Sequence, residues 1–488
     1  MADMVAHHVA DRPVGRSHSD AMVPPLITAL AEIVGPGHVL ADPPARAGFE
    51  TDWTGRWHGE ALAVVRPADT AEVAAVVTAC ANAEAVIVTQ GGHTGLVGGG
   101  VPRARGCGDG RPQVVVSTTR LNAVDGVDTA TAQLAAGAGT TLADAQRAAR
   151  NAGLELALDL AARDSATLGG LIACDAGGLR ALRHGTARRQ LAGLRAVMAD
   201  ATVIDSRMTG LIKDTAGYDL GALLVGSEGT LAIITAVRWS LTPPRPARAV
   251  ALVGLQTVAD AVALARTLRP ALPSLEVCEL MLRDGMALTL AHLGLAAPMA
   301  LSPVAVLLEC AGAQDPMDEL AAALADAGAD QRAVSAADSA GRERLLAIRE
   351  RHADAIAAAG VPVKFDVGVP LDRIAEFCSE VDQVVAAVWP RARVITFGHL
   401  ADGNLHVNVL PADPGDIAAS GDALDDAVLR LVARCSGTVS AEHGIGVHKV
   451  GHLQLTRAPA EIAAMLAIKR ALDPADILNP GVGLPTAF

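Results

Sequence analysis

Aromatic residues are nearly missing from this chain: four Trp, one Tyr and five Phe, 2% of the sequence. Stacking of bases on aromatic platforms is therefore an unpromising mode of action, and Ala, Val and Leu must fill the core. Positive charge is also short, with 40 Lys and Arg against 53 Asp and Glu, a net charge of −13. That balance argues against a nucleic-acid or anionic-membrane surface, so an anionic ligand would need a local basic pocket. None of the seven cysteines forms a Cys-x-x-Cys pair, which disfavours an iron–sulfur cluster or zinc ribbon and fits a reducing compartment. No uninterrupted apolar run reaches about 18 residues. The amino terminus, MADMVAHHVADRPVGRSHSD, carries acids and lacks the hydrophobic stretch of a signal peptide. A soluble, cytoplasmic protein with a loose leader, no transmembrane segment and no nucleic-acid partner is expected.

What the chain has instead is small and apolar residues, 51% hydrophobic with 48 glycines. At 488 residues it should divide into two or three domains. From residue 61, ALAVVRP, TAEVAAVVTACANA and AVIVTQ read as strand, helix and strand, and they run into a glycine loop. QVVVSTT, TAQLAAGAG, the helix TLADAQRAARNAG and a hairpin in LRAVMADATVIDS continue the α/β pattern. The prolines and arginines of TPPRPAR, 242–248, mark a linker. Beyond it, strands alternate with helices as in an antiparallel sheet covered by helices on one face. The last segment, APAEIAAMLAIKRALDPADILNPG, reads as a helix able to fold back on the first domain.

The stretch GHLADGNLHVN, 398–408, holds two histidines seven residues apart around Asp402-Gly403. Glycines break a helix here, whereas the flanking RVITF and LHVNVL suit strands and Asp-Gly suits a two-residue hairpin turn. That register places His399 directly opposite His406, with Asn408 on the same face and Leu405, Val407 and Val409 on the buried one. The pair could grip a metal ion or be held by structural hydrogen bonds. Glu442 and His443 in SAEHGIG favour the metal, because two imidazoles and one carboxylate make a three-ligand zinc set with an open position.

Three glycine concentrations precede the linker: QGGHTGLVGGG (90–100), LGGLIACDAGG (168–178) and GSEGTLAIIT (226–235). The first follows a strand, and its backbone N–H groups could form an anion nest or a structural turn. It matches neither the Rossmann fingerprint nor a Walker loop. Three such loops in one domain point to an extended, phosphate-bearing cofactor.

GGHTGLVGG, DSATLGGLIACDAGG, TAGYDLGALLVGSEGTLAIIT and ALDPADILNP resemble the FAD-binding motifs of vanillyl-alcohol oxidase type flavoproteins. KFDVGVP, GHLADGNLHVNV and GTVSAEHGIG narrow the resemblance to FAD-linked D-2-hydroxyacid dehydrogenases, within them the D-2-hydroxyglutarate dehydrogenase branch, over residues from about 40 to 485. It implies an α+β protein. A leader and first helix (1–40) would precede an FAD-binding domain of two α/β subdomains (41–244). A substrate domain (245–455) and a carboxy-terminal segment packed back on the FAD domain (456–488) would follow.

The resemblance also implies roles. Gln90, Gly91, Gly92, His93, Thr94, Gly95 and Leu96, with Ser165, Thr167, Leu168, Gly169 and Gly170, would surround the FAD pyrophosphate. Asp175, Gly177, Gly178 and Glu228 would lie along the cofactor, Gly229 and Ile233 near the isoalloxazine, and Asn479 would close the site. Asp175 and His93 stand where Asn is common, and a histidine after Gly-Gly raises covalent flavin attachment. His399, His406 and Glu442 would hold Zn2+, or Mn2+, while His443 would be the catalytic base. Arg349, Lys364, Asn408 and His443 would bind substrate, though an exposed helix arginine and a Lys364–Asp366 pair are the plain alternatives. Ala353 replaces a usual hydroxyl residue, which leaves lactate, malate or another D-2-hydroxyacid open beside hydroxyglutarate. The implied partners are a small anionic D-2-hydroxyacid, an acceptor such as electron-transfer flavoprotein or a quinone, and a second copy in a homodimer. The rival readings are a D-lactate or glycolate dehydrogenase, a zinc hydrolase, and a noncatalytic FAD-carrying subunit.

Overall fold

The computed structural model describes residues 18–104 and 110–485; most of the expected leader lies outside them. The first sheet contains β1 (Val39–Leu40), β2 (Ala63–Val65), β3 (Val86–Gln90) and β4 (Gln113–Ser117) in the order β1-β2-β4-β3. Its inner strands are parallel and buried on both faces, as expected for near-continuous Val and Ile runs. The helix Thr70–Asn82 joins β2 to β3. Asp69 caps it by accepting from Glu72 N, and it buries Val73, Val76, Val77 and Cys80, one stripe at helical spacing.

A second, antiparallel sheet has the order β5-β6-β9-β7-β8, from β5 (Val124–Asp128), β6 (Gln133–Gly137), β7 (Leu191–Met198), β8 (Val203–Ser206) and β9 (Ala232–Ser240). β7 and β8 form the hairpin expected from LRAVMADATVIDS. Val197 and Ile233 from this sheet join Val65, Ile87, Val114 and Val116 from the first in one shared core.

The Pro-Arg stretch runs from just after β9 into the first two residues of β10. The third sheet is β10 (Ala247–Leu255), β11 (Leu275–Leu282), β12 (Val304–Gly312), β13 (Ala333–Ala336), β14 (Val363–Gly368), β15 (Arg393–His399) and β16 (Asn404–Leu410), ordered β13-β10-β12-β11-β15-β16-β14. Helices cover both of its faces, not one. Val258–Ala271, Met317–Asp326, Ile374–Val388 and Gly415–Arg434 pack on the face holding Phe365, Val367, Leu405 and Val407. On the opposite face Arg283–Leu293 and Ser339–Glu350 cover Val250, Val277 and Leu307 at one end. The β15-β16-β14 end of that second face carries polar side chains, and there the site is built. Among the described residues, no helix is long and apolar enough to cross a membrane.

Candidate active site

The hairpin register differs from the sequence expectation. His399 pairs with Asn404, Gly398 with Leu405 and Phe397 with His406, so four residues, 400–403, form the turn. A two-residue type I′ turn needs positive φ at both central positions, and of Asp402 and Gly403 only Gly403 has it, at 83°. Leu400 and Ala401 are buried in the core instead, which widens the loop. His399 and His406 are therefore diagonal neighbours rather than opposed ones, still on one face and within side-chain reach. Their ring centroids are 5.5 Å apart at 79°.

Three imidazoles converge on one carboxylate oxygen. Glu442 Oε1 is 3.9 Å from His399 Nε2, 3.6 Å from His406 Nε2 and 3.8 Å from His443 Nε2. Ligand atoms around a tetrahedral ion with about 2 Å bonds stand slightly more than 3 Å apart, so the spacings of His399 and His406 from Glu442 suit a small divalent cation after little adjustment, with His443 beside them. Asp366, His406, Glu442 and His443 also offer ligand atoms all within 4.8 Å of one another. Asp366, however, faces the far side of the rings, with its oxygens 3.8 Å from His406 Nδ1 and 3.9 Å from His443 Nδ1. Its Oδ2 accepts the backbone N–H groups of Ala441, Glu442 and His443, and its Oδ1 the Asn404 amide. It organises the 441–443 backbone through these bonds.

Glu279, on β11 opposite His399, was absent from the sequence reading. Its Oε1 is 2.6 Å from His399 Nδ1, and its Oε2 accepts from Arg349 Nε at 2.6 Å. A carboxylate at Nδ1 fixes the ring and leaves Nε2 for a ligand role. Burial pushes the Glu279 carboxyl up, but the Arg349 and His399 charges hold it down at about 2. Burial lowers His399, yet Glu279 outweighs this and raises it to about 9, while burial keeps His406 well below its ordinary value. An acid in the apolar strand LEVCELML was the available signal.

Arg349 is not an exposed helix arginine: 8% exposed, it also lies over the Phe397 ring at 4.6 Å. Lys364 pairs in register with Asn408, as Asp366 does with His406, so all four share the site face. No Lys364–Asp366 ion pair forms. Asn408 is buried and donates only a long bond, 3.5 Å, to Ile395 O. Ala353 is exposed just after the helix carrying Arg349.

The glycine loops meet this cluster. A Cβ on Gly91 would stand 2.4 Å from Thr167 Oγ1, and one on Gly92 1.8 Å from Ser165 O, so the two segments touch backbone to backbone. Thr167 caps Leu168–Cys174 through Gly170 N. Leu168 is core, and Gly169 packs on Ala138. Gly95 is exposed with open space at its Cβ position, and Thr94 and Leu96 flank it half-buried. Gln90 is spent on Phe49 O and Gly100 O. His93 adopts φ 57°, a conformation Asn also tolerates. Its Nε2 lies 2.5 Å from Thr51 O and must donate there, so that nitrogen has no lone pair for a bond to flavin. Asp175, also at positive φ, ion-pairs with Arg188. Gly178 sits at φ 113° against Asp159 O, and Ile233 is fully in the core.

Glu228 holds the loop that carries Glu442 and His443, accepting from Ile445 N and Gly446 N at 2.8 Å; Val97 O accepts Val447 N at 3.0 Å. A Cβ on Gly177 would stand 3.0 Å from Glu442 Oε2. Asn479 Nδ2 donates to Gly99 O and Glu228 O. Thr89 Oγ1, Thr140 Oγ1 and Asn479 Oδ1 are buried without partners, and a Cβ on Gly229 would meet Thr89 and Asn479 at 3.3 and 3.6 Å. Unpaired polar atoms beside glycine backbone are what a bound nucleotide cofactor would satisfy.

Residues 61–207 match the FAD binding domain family and residues 245–482 the C-terminal domain of FAD linked oxidases. Mitochondrial D-2-hydroxyglutarate dehydrogenase of Bos taurus is 36% identical over 94% of this chain and 83% of its own. D-2-hydroxyglutarate dehydrogenase of Xanthomonas citri pv. viticola is 35% identical over 94% and 97%. The chain belongs to the FAD-linked D-2-hydroxyacid dehydrogenase family, in the D-2-hydroxyglutarate dehydrogenase branch. This family member is an FAD-dependent oxidoreductase. Its fold is that of p-cresol methylhydroxylase (TM-score 0.78, 16% identity, 98% and 99% of the two chains) and alkyldihydroxyacetonephosphate synthase (0.72, 16%, 94% and 84%).

Proposed function

We propose that this family member oxidises a D-2-hydroxyacid, D-2-hydroxyglutarate first among them, to the 2-oxoacid. The observation that carries the reading is the convergence of three imidazole Nε2 atoms on Glu442 Oε1 within 3.9 Å, on a loop clamped to the glycine segments by Glu228. When bound, FAD supplies a hydride acceptor and a Zn2+ or Mn2+ ion a Lewis acid that acidifies the substrate hydroxyl.

His399, His406 and Glu442 would hold the ion, with Glu279 orienting His399 and Asp366 the other side of the cluster. His443 is more exposed than either ligand histidine, its side chain 25% against 7% and 14%. That exposure supports the base role, in which its Nε2 would take the hydroxyl proton. Lys364 and the free guanidinium nitrogens of Arg349 bind carboxylates, and Asn408 offers its amide to the substrate. Gly91–Gly95, Ser165–Gly170 and Asn479 enclose the cofactor. Electrons leave to an electron-transfer flavoprotein or a quinone, and the chain pairs as a homodimer. D-lactate or glycolate is the second substrate reading, favoured by Ala353 in place of a hydroxyl.

Anaerobic mixing of the FAD-loaded protein with D- and L-hydroxyacids tests the reading. Bleaching of the flavin band by D-2-hydroxyglutarate and not its L form is expected, with one divalent ion per chain by elemental analysis. Reduction by L-acids alone, or a metal-free protein of full activity, would overturn it.

A further inference from the structure

We propose that Trp53 is a positioning residue that holds the Lys364 ammonium group for the distal carboxylate of a diacid substrate. This rests on the D-2-hydroxyacid reading and adds a residue outside the family motifs quoted above. Among the described residues, no hydrogen bond or ion pair occupies the Lys364 ammonium, because Asp366 directs its oxygens to Asn404 and the 441–443 backbone. Its neighbour is the Trp53 ring, with Nζ 5.0 Å from the centroid. A cation over an indole face is attracted by the ring quadrupole yet keeps its N–H donors available. Trp53 therefore restricts the ammonium without consuming it.

The segment that brings Trp53 there is built rather than loose. Thr51 bridges His58, Asp52 N donates to Trp57 O, and Trp57 N donates to Asp52 Oδ1. Thr54 Oγ1 donates to Asp52 Oδ2, and Gly55 turns the chain at φ 70°. The strap is tied to both halves of the molecule. Thr51 O receives His93 from the first glycine loop, and Arg56 ion-pairs at 3.0 Å with Asp425 beneath the substrate sheet. Trp57 packs on His448 at 5.6 Å. Trp53 is nonetheless 64% exposed, as a side chain must be if it caps an entrance.

Position along the strand supplies the ligand chemistry. Lys364 and Asn408 pair two residues beyond Asp366 and His406, about 7 Å along β14. With one end of the substrate at the imidazole cluster, a five-carbon diacid spans that distance. A three-carbon monoacid leaves the ammonium unused.

Kinetics of the FAD-loaded Trp53→Leu, Trp53→Phe and Lys364→Met proteins, with D-2-hydroxyglutarate and D-lactate, test the assignment. Trp53→Leu should raise KM for the diacid about two- to fivefold, with kcat and the D-lactate KM nearly unchanged; Trp53→Phe should restore most of the loss. The effect of Trp53→Leu should vanish in a Lys364→Met background. Glutarate should quench tryptophan fluorescence in the wild type and not in Trp53→Phe. A wild type that prefers the diacid, combined with an unchanged Trp53→Leu or with equal losses for both acids, would overturn this assignment alone. A wild type that turns over only monoacids would remove the diacid reading itself, and the assignment with it.

Discussion

An Asp366→Asn protein is expected to lose its bound divalent ion and to fall about 10- to 100-fold or more in kcat/KM, the range seen when groups behind metal ligands are changed. Asn is nearly isosteric with a protonated Asp, so shape is preserved and the charge is what disappears. The Asp366 oxygens collect four hydrogen bonds from Asn404, Ala441, Glu442 and His443, and an amide NH2 facing any of those donors is repelled. Lys449, 1% exposed and donating to Asp366 O, loses one negative charge but keeps those of Glu228 and Asp425, so the cost stays below the roughly 3–5 kcal/mol of a buried ion left alone. Elemental analysis and denaturant unfolding read the two effects separately. The pH dependence has a definite sign. Burial pushes the Asp366 carboxyl up, but His443, Lys449, His406 and the backbone donors hold it far below the carboxylate range. A depressed folded-state pKa stabilises the protein above the unfolded value, about 3.9, and the stabilisation is lost as pH falls below it. The gap between wild type and variant should therefore shrink as pH falls under about 4. Stoichiometric metal in Asp366→Asn, with wild-type turnover, would show the carboxylate to be dispensable.

How far the sequence could be read follows from which forces are local. The βαβ unit from Ala63 to Gln90 was legible because an Asp69 cap, helical spacing of Val73, Val76, Val77 and Cys80, and flanking Val runs all agree. The face of β16 was legible too, since alternation puts Leu405, Val407 and Val409 in the core whatever the turn does. The turn was not. Asp402-Gly403 competes with burial of Leu400 and Ala401, and burial wins, which moves His399 from opposite His406 to opposite Asn404. The histidines still meet because a diagonal pair stays on one face. Glu279 escaped notice because its partner is 120 residues away, and Trp53 because an exposed tryptophan leaves no periodic trace. Glu228, expected along the cofactor, also accepts Ile445 N and Gly446 N with its carboxylate. A glutamate in a glycine loop does not announce which side it faces.

Lys469→Met should produce the other large effect, directed at FAD and not at the metal. The Lys469 ammonium donates to Thr230 O at 2.9 Å and Leu478 O at 2.8 Å, and ion-pairs with Asp473 at 2.5 Å and Asp476 at 3.0 Å. Asp473, 1% exposed, in turn accepts Ile477 N and Leu478 N. This knot lays the tail beside β3, where Ile87 N donates to Ile477 O and Asn479 N donates to Ile87 O. Asn479 can then reach Gly99 O and Glu228 O across the glycine loops. Methionine fills the space but leaves Asp473 with its two backbone donors and no cation, and takes a donor from two carbonyls, so a loss of about 3 kcal/mol is expected. Since the tail places Asn479 between the first and third glycine loops, FAD retention on gel filtration should drop while the metal-to-chain ratio of the folded fraction stays near wild type. Asp366→Asn should show the reverse, with FAD retained and metal lost. A Lys469→Met, Asp473→Asn double variant should regain part of the stability, because the charge is removed while an amide oxygen still accepts a tail N–H. A single variant with wild-type flavin content and unfolding midpoint would mean that the tail is held by its backbone pairing with β3 alone.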